Sequence, residues 1–398
     1  MLKAGFSRLD VTPPLGSYVA GYFHERHAKG ILDPIYIHAL AMSDGEGTAI
    51  LFTADFLNMD DTCADSIRAL VEERTGVPAD HVMIACLHSH TSVTIRHNDG
   101  NSVTKDASYR DILWRKFADA AQLAMNDMRE AKLLLGEQET GEPLSFIRRN
   151  WMKDGTVCSI PSREQFPLID RPCDQSDNTV RLLRFAREEG NDIALVNFST
   201  HPDVIGGELL SADWPGFVRR YVEADLKGVS CLLLNGVQGD ANHINYIDGV
   251  VNRGYSHSDH MGRVIADTVK LLWDKSEPFE TGAVKGGTTS VYDYTTTSED
   301  EQEILRCLRR RLPVSVISLG KLAIVGIGGE PFTHYATAIR EACPDRRIIA
   351  ACCTNGAAGY LPTADAFSEG GYEATSSRFS ATLEQDCVAT AAELLGKL

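Results

Sequence analysis

The sequence has 398 residues, 43% of them hydrophobic and 24% charged, and this composition excludes a disordered, collagen-like or coiled-coil chain. Asp and Glu number 55 against 39 for Lys and Arg, which gives a formal net charge of −16. A chain this acidic repels phosphate backbones and anionic lipid headgroups, so nucleic acids and membrane surfaces are poor candidates for its partners.

The sequence contains no recognisable targeting segment. Its first residues carry no apolar core with a small-residue cleavage site, and no window approaches ~18 consecutive apolar residues. We therefore expect a cytoplasmic protein without stable membrane association. The ten cysteines form no CxxC pair, and most lie in apolar runs. We expect them to be reduced thiols of the core rather than disulfides or a cysteine zinc site.

Apolar runs of strand length alternate with amphipathic segments of helix length along the chain. The runs are nearly all apolar, as is typical of strands buried on both faces, and they are Thr48–Thr53, Val82–Cys86, Ile193–Phe198, Ser230–Leu234, Ala323–Ile327 and Ile348–Cys352. The segments with helical spacing or a helix-start signal are Thr62–Thr75, Ser108–Arg129, Pro215–Leu226, Asp259–Trp273, Pro331–Ala342 and Thr382–Leu395.

Two regions have a different pattern. From Lys132 to Arg187, short alternating runs and turn residues predict antiparallel strands and excursions. The segment Gly282–Asp300 is rich in Thr, Ser and Gly, and it predicts a strand followed by a connection. We therefore predict an α/β fold with one large domain, residues 1–398, in which a mixed β-sheet is flanked by helices and the active site lies at the strand ends.

The first candidate site residues follow the predicted strand Val82–Cys86 in the string CLHSHTS. His88 and His90 lie two residues apart, and in an extended segment residues i and i+2 point the same way. Two imidazoles would then face one point at the end of a buried strand, where sites form in α/β sheets. Either both are metal ligands, or one is a ligand and the other a proton donor.

Two further polar motifs also follow predicted strands. His201 stands in NFSTHPDV just beyond the strand Ile193–Phe198. The string LLLNGVQGDANHIN then runs from a strand into a Gly-rich turn that carries Asp240 and Asn242. Glycines let a backbone approach a ligand closely, but Asn and Asp in such a turn also bond their own backbone. Both interpretations of the turn stay open.

The last two motifs lie near the end of the chain. Glu330 follows a strand and two glycines, where it either binds a metal or caps a helix that starts at Pro331. Tyr360 and Tyr372 lie in the Gly-rich segment after the strand Ile348–Cys352. Two or three histidines with one carboxylate are a common zinc ligand set that leaves a coordination position open, so these strand-end motifs together predict a zinc site.

Six short motifs occur in an order that resembles the neutral, non-lysosomal ceramidase superfamily. They are DVTPP, the HSH triplet, His201, the GD-containing turn, GGEPFT and a closing pair of tyrosines in GY-x11-Y spacing. The resemblance covers essentially the whole chain. It implies an enzyme that uses one catalytic zinc ion to activate a water molecule and hydrolyse an amide bond.

The resemblance also implies a role for each matched residue. The zinc ligands that it implies are His88, His201, Glu330 and Tyr360. It makes His90 the group beside the zinc that assists the reacting carbonyl, and it makes Tyr372 a substrate contact. An arginine of the string FIRRN also lines the site on this basis; we assign Arg148, with Arg149 as the alternative.

The sequence departs from the family pattern at several points. Asn242 stands where the family string GDVSPN has a serine of the active site, so a serine-dependent step is not expected here. We expect Asp240 and Asn242 to hold ligands or substrate instead. The glycine-rich continuation of the family's histidine motif is missing. We also expect no C-terminal β-sandwich domain, which ceramidases proper carry.

The sequence therefore predicts a zinc-dependent hydrolase for an amide, less readily an ester, of a small polar molecule. The polar string at residues 91–111 favours such a substrate over ceramide. The alternatives are a zinc-assisted lyase or isomerase acting on a sugar-derived substrate, a ceramide amidohydrolase proper, and a non-catalytic zinc-binding protein. The expected partner is a small-molecule substrate, and a homo-oligomer stays open.

Overall fold

A computed structural model of the chain describes residues 1–97, 102–103, 106–292 and 311–398. The larger of its two main sheets has nine strands, of which the short Glu277–Pro278 pairs only with β5. The eight long strands are, in chain order, β1 (Lys3–Asp10), β2 (Tyr36–Ser43), β3 (Thr48–Ala54), β4 (Val82–Cys86), β5 (Arg129–Glu139), β6 (Thr179–Arg187), β7 (Asp192–Phe198) and β8 (Val229–Asn235).

The larger sheet is antiparallel in its middle and parallel at both edges. Its spatial order is β8-β7-β6-β5-β1-β2-β3-β4, with parallel pairing only in β7–β8 and β3–β4 among these strands. A sheet twists by roughly 20–25° per strand, so the two edges of a sheet this wide turn toward each other. Asn235 at the end of β8 accordingly donates from Nδ2 to the carbonyl oxygen of Leu87, just beyond β4, at 3.1 Å.

A second, four-stranded sheet packs against the first. Its strands, paired in chain order, are β9 (Val284–Tyr292), β10 (Arg311–Leu319), β11 (Leu322–Ile327) and β12 (Arg347–Ala351). Leu51, Leu195 and Leu232 of the larger sheet and Ile317 and Ile324 of the second belong to one buried apolar cluster. The hydrophobic effect on this shared core holds the two sheets together.

Helices cover the outer faces of both sheets. The helices are α1 (Asp61–Thr75), α2 (Ala107–Asn126), α3 (Trp214–Asp225), α4 (Tyr255–Trp273), α5 (His334–Ala342), α6 (Ala364–Glu369), α7 (Tyr372–Ser376) and α8 (Leu383–Lys397). Helices α1 and α2 share one buried cluster with β3, helices α3 and α4 share another with β7, and α5 and α8 pack on the second sheet. The predicted α/β fold is confirmed, although the sequence did not predict a second sheet.

Local sequence explains where the helices begin and end. The Asp60 carboxylate accepts from the backbone N–H of Cys63 at 2.8 Å and caps α1, which ends at Gly76 with a left-handed φ of 74°. At α3, Asp213 accepts from the N–H of Trp214, and Pro215 occupies the first turn.

Some predicted boundaries were wrong by a few residues. The helix predicted over Ser108–Arg129 ends at Asn126, where the Asp127 carboxylate accepts from the backbone N–H of Phe6 at 2.9 Å and the chain turns into β5. The helix predicted from Pro331 begins at His334.

Three further expectations from the sequence concern the strand in Gly282–Asp300, the cysteines and membrane-spanning helices. The strand predicted in Gly282–Asp300 is β9, and the connection predicted after it lies outside the described residues, as does Cys307. The other nine cysteines are unpaired thiols. No helix in the described part of the chain is both long enough and apolar enough to cross a membrane.

Candidate metal centre

The ends of strands from both sheets meet at one place. The backbone N–H of Cys86 at the end of β4 donates to Cys353 O at 3.1 Å, and that of Cys352 donates to Asn235 O at the end of β8 at 3.3 Å. The segment after β12 therefore bridges the two edges of the larger sheet, and β7 lies beside β8. Because site-forming loops follow strand ends, the five polar motifs of the sequence converge here.

His88 is held in one orientation by the backbone around it. Its φ of 69° is left-handed, which is uncommon for a histidine and typical of strained functional positions. Its N–H donates to Phe56 O at 3.0 Å, and its ring Nδ1 lies 3.0 Å from Leu57 O. The proton on Nδ1 faces this carbonyl, so Nε2 is the nitrogen that can bind a metal. Burial lowers the pKa of His88, but the Glu330 carboxylate outweighs this effect and raises that pKa.

His201 has the same arrangement on the opposite side. Its Nδ1 lies 3.0 Å from Gln238 O and 3.2 Å from Ala241 O, so the proton again belongs on Nδ1. Its Nε2 is buried, and the described part of the chain offers it no hydrogen-bond partner. Burial and the positive charge of Arg148 lower the pKa of His201, which keeps the ring neutral and able to bind a metal.

Glu330 joins the two histidines. Its Oε2 lies 3.3 Å from His88 Nε2 and 3.4 Å from His201 Nε2. Burial alone would raise the pKa of Glu330, but the two histidines hold that pKa well below its usual value. Oε2 is nevertheless buried, and no hydrogen-bond partner for it lies among the residues that the structure describes. Three converging ligand atoms, two of them buried without a partner, fit a transition metal of the zinc type.

His90 completes the cluster. Its ring lies 5.0 Å from the ring of His88 and 5.6 Å from that of His201, measured between ring centres. One nitrogen from each of the three rings lies within 4.8 Å of the others, so His90 is also within reach of a shared ion. Within residues 1–97, 102–103, 106–292 and 311–398, neither of its ring nitrogens has a hydrogen-bond partner. Burial lowers the pKa of His90 to about 3. His90 is therefore neutral at pH 7.

Tyr360 borders the cluster beside Glu330. The two residues are partners in a short parallel ladder, so their side chains lie on the same side of it. The Tyr360 ring lies 6.5 Å from the His201 ring at an angle of 28°. Burial raises the pKa of Tyr360 well above its usual value, an effect that the charge of Arg148 opposes.

The two candidate arginines face different neighbours. Arg148 lies with its guanidinium carbon 5.1 Å from the centre of the Tyr360 ring, and it donates to Glu373 Oε1 at 2.7 Å. Arg149 donates to Glu369 Oε2 at 3.1 Å and lies over the ring of Phe332. Arg148 is thus the arginine that the structure places beside the tyrosine of the cluster.

Asp240 holds neighbouring backbone. Its carboxylate accepts from the N–H of Thr333 at 2.8 Å and from the Thr333 hydroxyl at 3.2 Å, just after Glu330. Burial raises the pKa of Asp240 to about 6. Asn242 donates to the Tyr246 hydroxyl at 2.9 Å and accepts from the N–H of Ile244 at 3.0 Å. Both side chains therefore support the turn and the segment after Glu330.

Tyr372 lies at the mouth of the site. It is the first residue of α7, is 36% exposed, and its ring lies 5.5 Å from that of Tyr360. The next residue, Glu373, is fully buried and is the ion-pair partner of Arg148. The α7 turn therefore connects the mouth of the site to its buried arginine.

The residues that pack behind His90 were not identified from the sequence; they are Gly21, Tyr22 and Asp203. Asp203 Oδ1 lies 4.0 Å from His90 Nδ1 and accepts from the Tyr22 hydroxyl. A Cβ atom on Gly21 would lie only 2.6 Å from His90 Nδ1, so the backbone of Gly21 packs directly on the ring. Asp203 follows His201 by two residues and could have been noticed on that ground. Gly21 and Tyr22 lie in a loop without periodicity, and no local signal marks them.

Comparison with known proteins identifies the fold. No protein-family model matches the sequence, and no curated protein matches it either. The crystal structure of the neutral ceramidase from Pseudomonas aeruginosa matches with a TM-score of 0.79 at 17% identity, covering 100% of this chain and 75% of that chain. The structure of a ceramidase complexed with C2 matches with a TM-score of 0.77 at 15% identity, covering 100% and 76% respectively.

The TM-scores establish a shared fold. At identities this low, the activity has to be argued from the site itself. The resemblance that the sequence motifs predicted is confirmed at this level. From its first residue to its last, the chain has the fold of the neutral ceramidases.

Proposed function

We propose that this protein is a zinc-dependent hydrolase that cleaves an amide bond of a small polar molecule. The observation that carries the proposal is the convergence of His88 Nε2, His201 Nε2 and Glu330 Oε2 within 3.3–3.4 Å contacts at buried strand ends. Two histidines and a carboxylate are a frequent ligand set of catalytic zinc. The ceramidase fold favours amide hydrolysis over other metal-assisted reactions.

The residues that would hold the ion are His88, His201, Glu330 and Tyr360, which pairs with Glu330 in the short parallel ladder. The Nδ1–carbonyl contacts of both histidines fix the tautomer that a metal requires, as outer partners do in zinc sites. A bound zinc ion supplies a Lewis acid and allows a water molecule to lose a proton near neutral pH.

We assign the proton-transfer role to His90. Its Nδ1 side is occupied by Gly21 and Asp203, so Nε2 is the atom left to face the reacting groups. A neutral imidazole accepts a proton from an attacking water and returns it to the leaving amine. Arg148 acts through Tyr360, because its ion pair with Glu373 holds its positive charge over the Tyr360 ring.

Polar groups around His90 support a polar substrate. The Asp203 carboxylate lies next to Arg253, with 3.9 Å between Arg253 Nη1 and Asp203 Oδ2. His90 itself is buried, and neither of its ring nitrogens has a hydrogen-bond partner among the described residues. Burying a polar group without a partner costs free energy. A ligand with hydrogen-bonding groups of its own removes that cost, whereas an alkyl chain does not.

A substrate panel tests the proposal. Zinc-loaded protein is incubated with water-soluble N-acyl amino acids, N-acyl amino sugars and lactams, and a short-chain fluorescent ceramide in detergent is assayed in parallel. We expect at least one soluble amide to be hydrolysed, with incorporation of one water molecule into the products, and we expect a chelator to abolish turnover. Elimination products would instead identify a lyase.

Two results would contradict the proposal. Ceramide turnover at ~10⁴ M⁻¹s⁻¹ or above, with none on the soluble panel, would overturn the polar substrate. Undiminished hydrolysis after complete removal of metal would overturn the zinc dependence. The variant His88→Ala serves as the control for contaminating hydrolases. Because His88 is buried, this variant has the same surface as the wild-type protein and purifies in the same way.

A further inference from the structure

The apolar side chain of Phe23 is exposed to solvent, although contacts of the neighbouring residues fix the turn that carries it. It is 95% exposed, although the residues around it are fixed. Arg26 stacks on the ring of Tyr22 with its guanidinium carbon 4.0 Å from the ring centre, and it donates to His90 O at 2.8 Å and Gly207 O at 2.7 Å. The turn is therefore hydrogen-bonded to the backbone of His90 in the histidine cluster, so the exposure of Phe23 is not a consequence of a loose loop.

A continuous series of rings leads from Phe23 to the candidate metal centre. The Phe23 ring lies 6.1 Å from that of Tyr372, edge to face at 89°. The Tyr372 ring lies 5.5 Å from that of Tyr360, which in turn lies 6.5 Å from His201. Phe23 and Tyr372 thus stand at the solvent end of a wall whose other end is a candidate metal ligand.

We propose that Phe23 and Tyr372 form a ring-binding rim, and that the substrate carries a flat ring separated from its scissile amide by a short linker. The inference rests on the proposed amide hydrolysis at the histidine cluster, and it names the substrate class for that site. The linker is short because only Tyr360 stands between the rim and His201.

A flat ring suits this rim better than an alkyl chain does. Aromatic rings prefer offset or edge-to-face contacts at centre distances of roughly 4.5–7 Å, and the edge-to-face pair of Phe23 and Tyr372 leaves ring faces free for a third ring. A long acyl chain needs continuous apolar surface. Here the surroundings of the rim include Tyr22, Asp203 and Arg253, which are polar.

The inference is tested with three zinc-binding hydroxamic acids that differ only in the substituent attached to the hydroxamate. Calorimetry measures the affinity of acetohydroxamic, hexanohydroxamic and phenylpropanohydroxamic acids for zinc-loaded protein, and elemental analysis of the same samples records the zinc content. We expect the phenyl compound to bind about three- to tenfold more tightly than the hexanoyl compound, as one good aromatic contact predicts. Phe23→Ser should remove that preference while acetohydroxamic acid still binds. Leu271→Ser, which removes a 53% exposed side chain from α4, should keep the preference.

The outcomes separate the rim from the metal site. If the hexanoyl compound binds as tightly as the phenyl compound, or if Phe23→Ser keeps the preference, the ring-binding rim is overturned. If zinc-loaded protein binds none of the three acids, the proposed hydrolytic site is overturned, and the rim with it. Zinc content near zero in the wild-type protein has the same meaning for the hydrolytic site.

Discussion

His88 stores backbone strain, as residues at functional sites often do. A left-handed φ on a residue with a side chain costs roughly 1–3 kcal/mol, and the φ of His88 is 69°. Hydrogen bonds to Phe56 and Leu57 hold this conformation in place. Backbone carbonyls thus fix the orientation of the candidate ligand His88, and its Nε2 is directed at Glu330.

Replacing His90 distinguishes proton transfer from metal binding. We predict that His90→Ala retains nearly normal zinc content but lowers turnover by ~10²–10⁴, the range for loss of a general acid or base. His88→Ala should lose zinc, because His88 is held against Glu330 at 3.3 Å. Metal analysis and single-substrate kinetics on the two variants provide the comparison.

Equal loss of zinc in both variants would make His90 a ligand and reverse this assignment. The geometry permits such a result, since one nitrogen of His90 lies within 4.8 Å of those of His88 and His201. The assignment of His90 to proton transfer rests on the role that the resemblance of the HSH triplet implies and on the packing of Gly21 and Asp203 on its Nδ1 side.

Gly21 offers a way to move His90 without replacing it. A Cβ at position 21 would lie 2.6 Å from His90 Nδ1, and the φ of Gly21 is +105°. We predict that Gly21→Ala lowers turnover by roughly 10²-fold, because a 1 Å misplacement of a catalytic group has effects of that size. Zinc content should not change, since His88, His201 and Glu330 stay in place.

Gly16→Ala is the matched control for that variant. Gly16 also has a left-handed φ, +85°, but a Cβ there meets nothing within 4 Å. Both substitutions therefore introduce backbone strain, and only one displaces His90. Similar turnover in the two variants would refute the positioning role of Gly21.

Individual site residues differed in how visible they were in the sequence. His88, His201 and Glu330 each lie within three residues of the end of an apolar run, so their position at strand ends could be predicted from the chain alone. Gly21 and Tyr22 act on His90 across a long sequence separation, and their loop has no pattern of its own. Their role depends on tertiary contacts that no local signal encodes.

At the scale of elements, one buried ion pair ties a strand end to a helix. Asp55 directly follows β3, and its two carboxylate oxygens accept from Arg219 of α3, both at 2.8 Å. Burial raises the pKa of Asp55, an effect that Arg219 opposes. Phe56 and Leu57, the next two residues, provide the carbonyls that hold His88. The pair therefore fixes the backbone on which the first ligand depends.

Breaking this pair should destabilise the whole fold. We predict that Arg219→Met lowers the free energy of unfolding by about 3–5 kcal/mol, because it leaves the Asp55 carboxylate buried and uncompensated. Chemical denaturation of wild-type and variant protein measures the difference. The exposed pair of Arg74 and Asp119 provides the control, and Arg74→Met should cost about 0–1 kcal/mol. A loss of less than about 1 kcal/mol in Arg219→Met would show that the pair is not a structural anchor.

The elements that the sequence predicted best were those with a clear physical signal. Strand β4 matches its prediction from Val82 to Cys86, because every residue in the run is apolar and buried. The predicted helix ran three residues beyond α2, to Arg129, because no glycine or proline marks a helix end between Asn126 and Arg129. Neighbour relations between strands could not be predicted, since apolar runs do not specify which edges meet.

At the scale of the whole molecule, the site exists because a wide twisted sheet brings its edges together. Strands β4 and β8 lie at opposite ends of the strand order, yet Asn235 and Leu87 at their ends are hydrogen-bonded. The second sheet then inserts Cys352 and Cys353 between these ends and delivers Glu330 and Tyr360. The match to the neutral ceramidase structure covers 100% of this chain at 17% identity, so both sheets lie within the shared fold.

The metal content of the purified protein tests the central claim most directly. The protein is purified without chelators, dialysed against zinc and then against metal-free buffer, and analysed by elemental mass spectrometry. We predict about one zinc ion per wild-type chain, as for one mononuclear site, and almost none in His88→Ala. His260→Ala, which changes an exposed histidine on α4, should retain the wild-type content. No bound metal in the wild-type protein, or equal content in wild type and His88→Ala, would contradict the account.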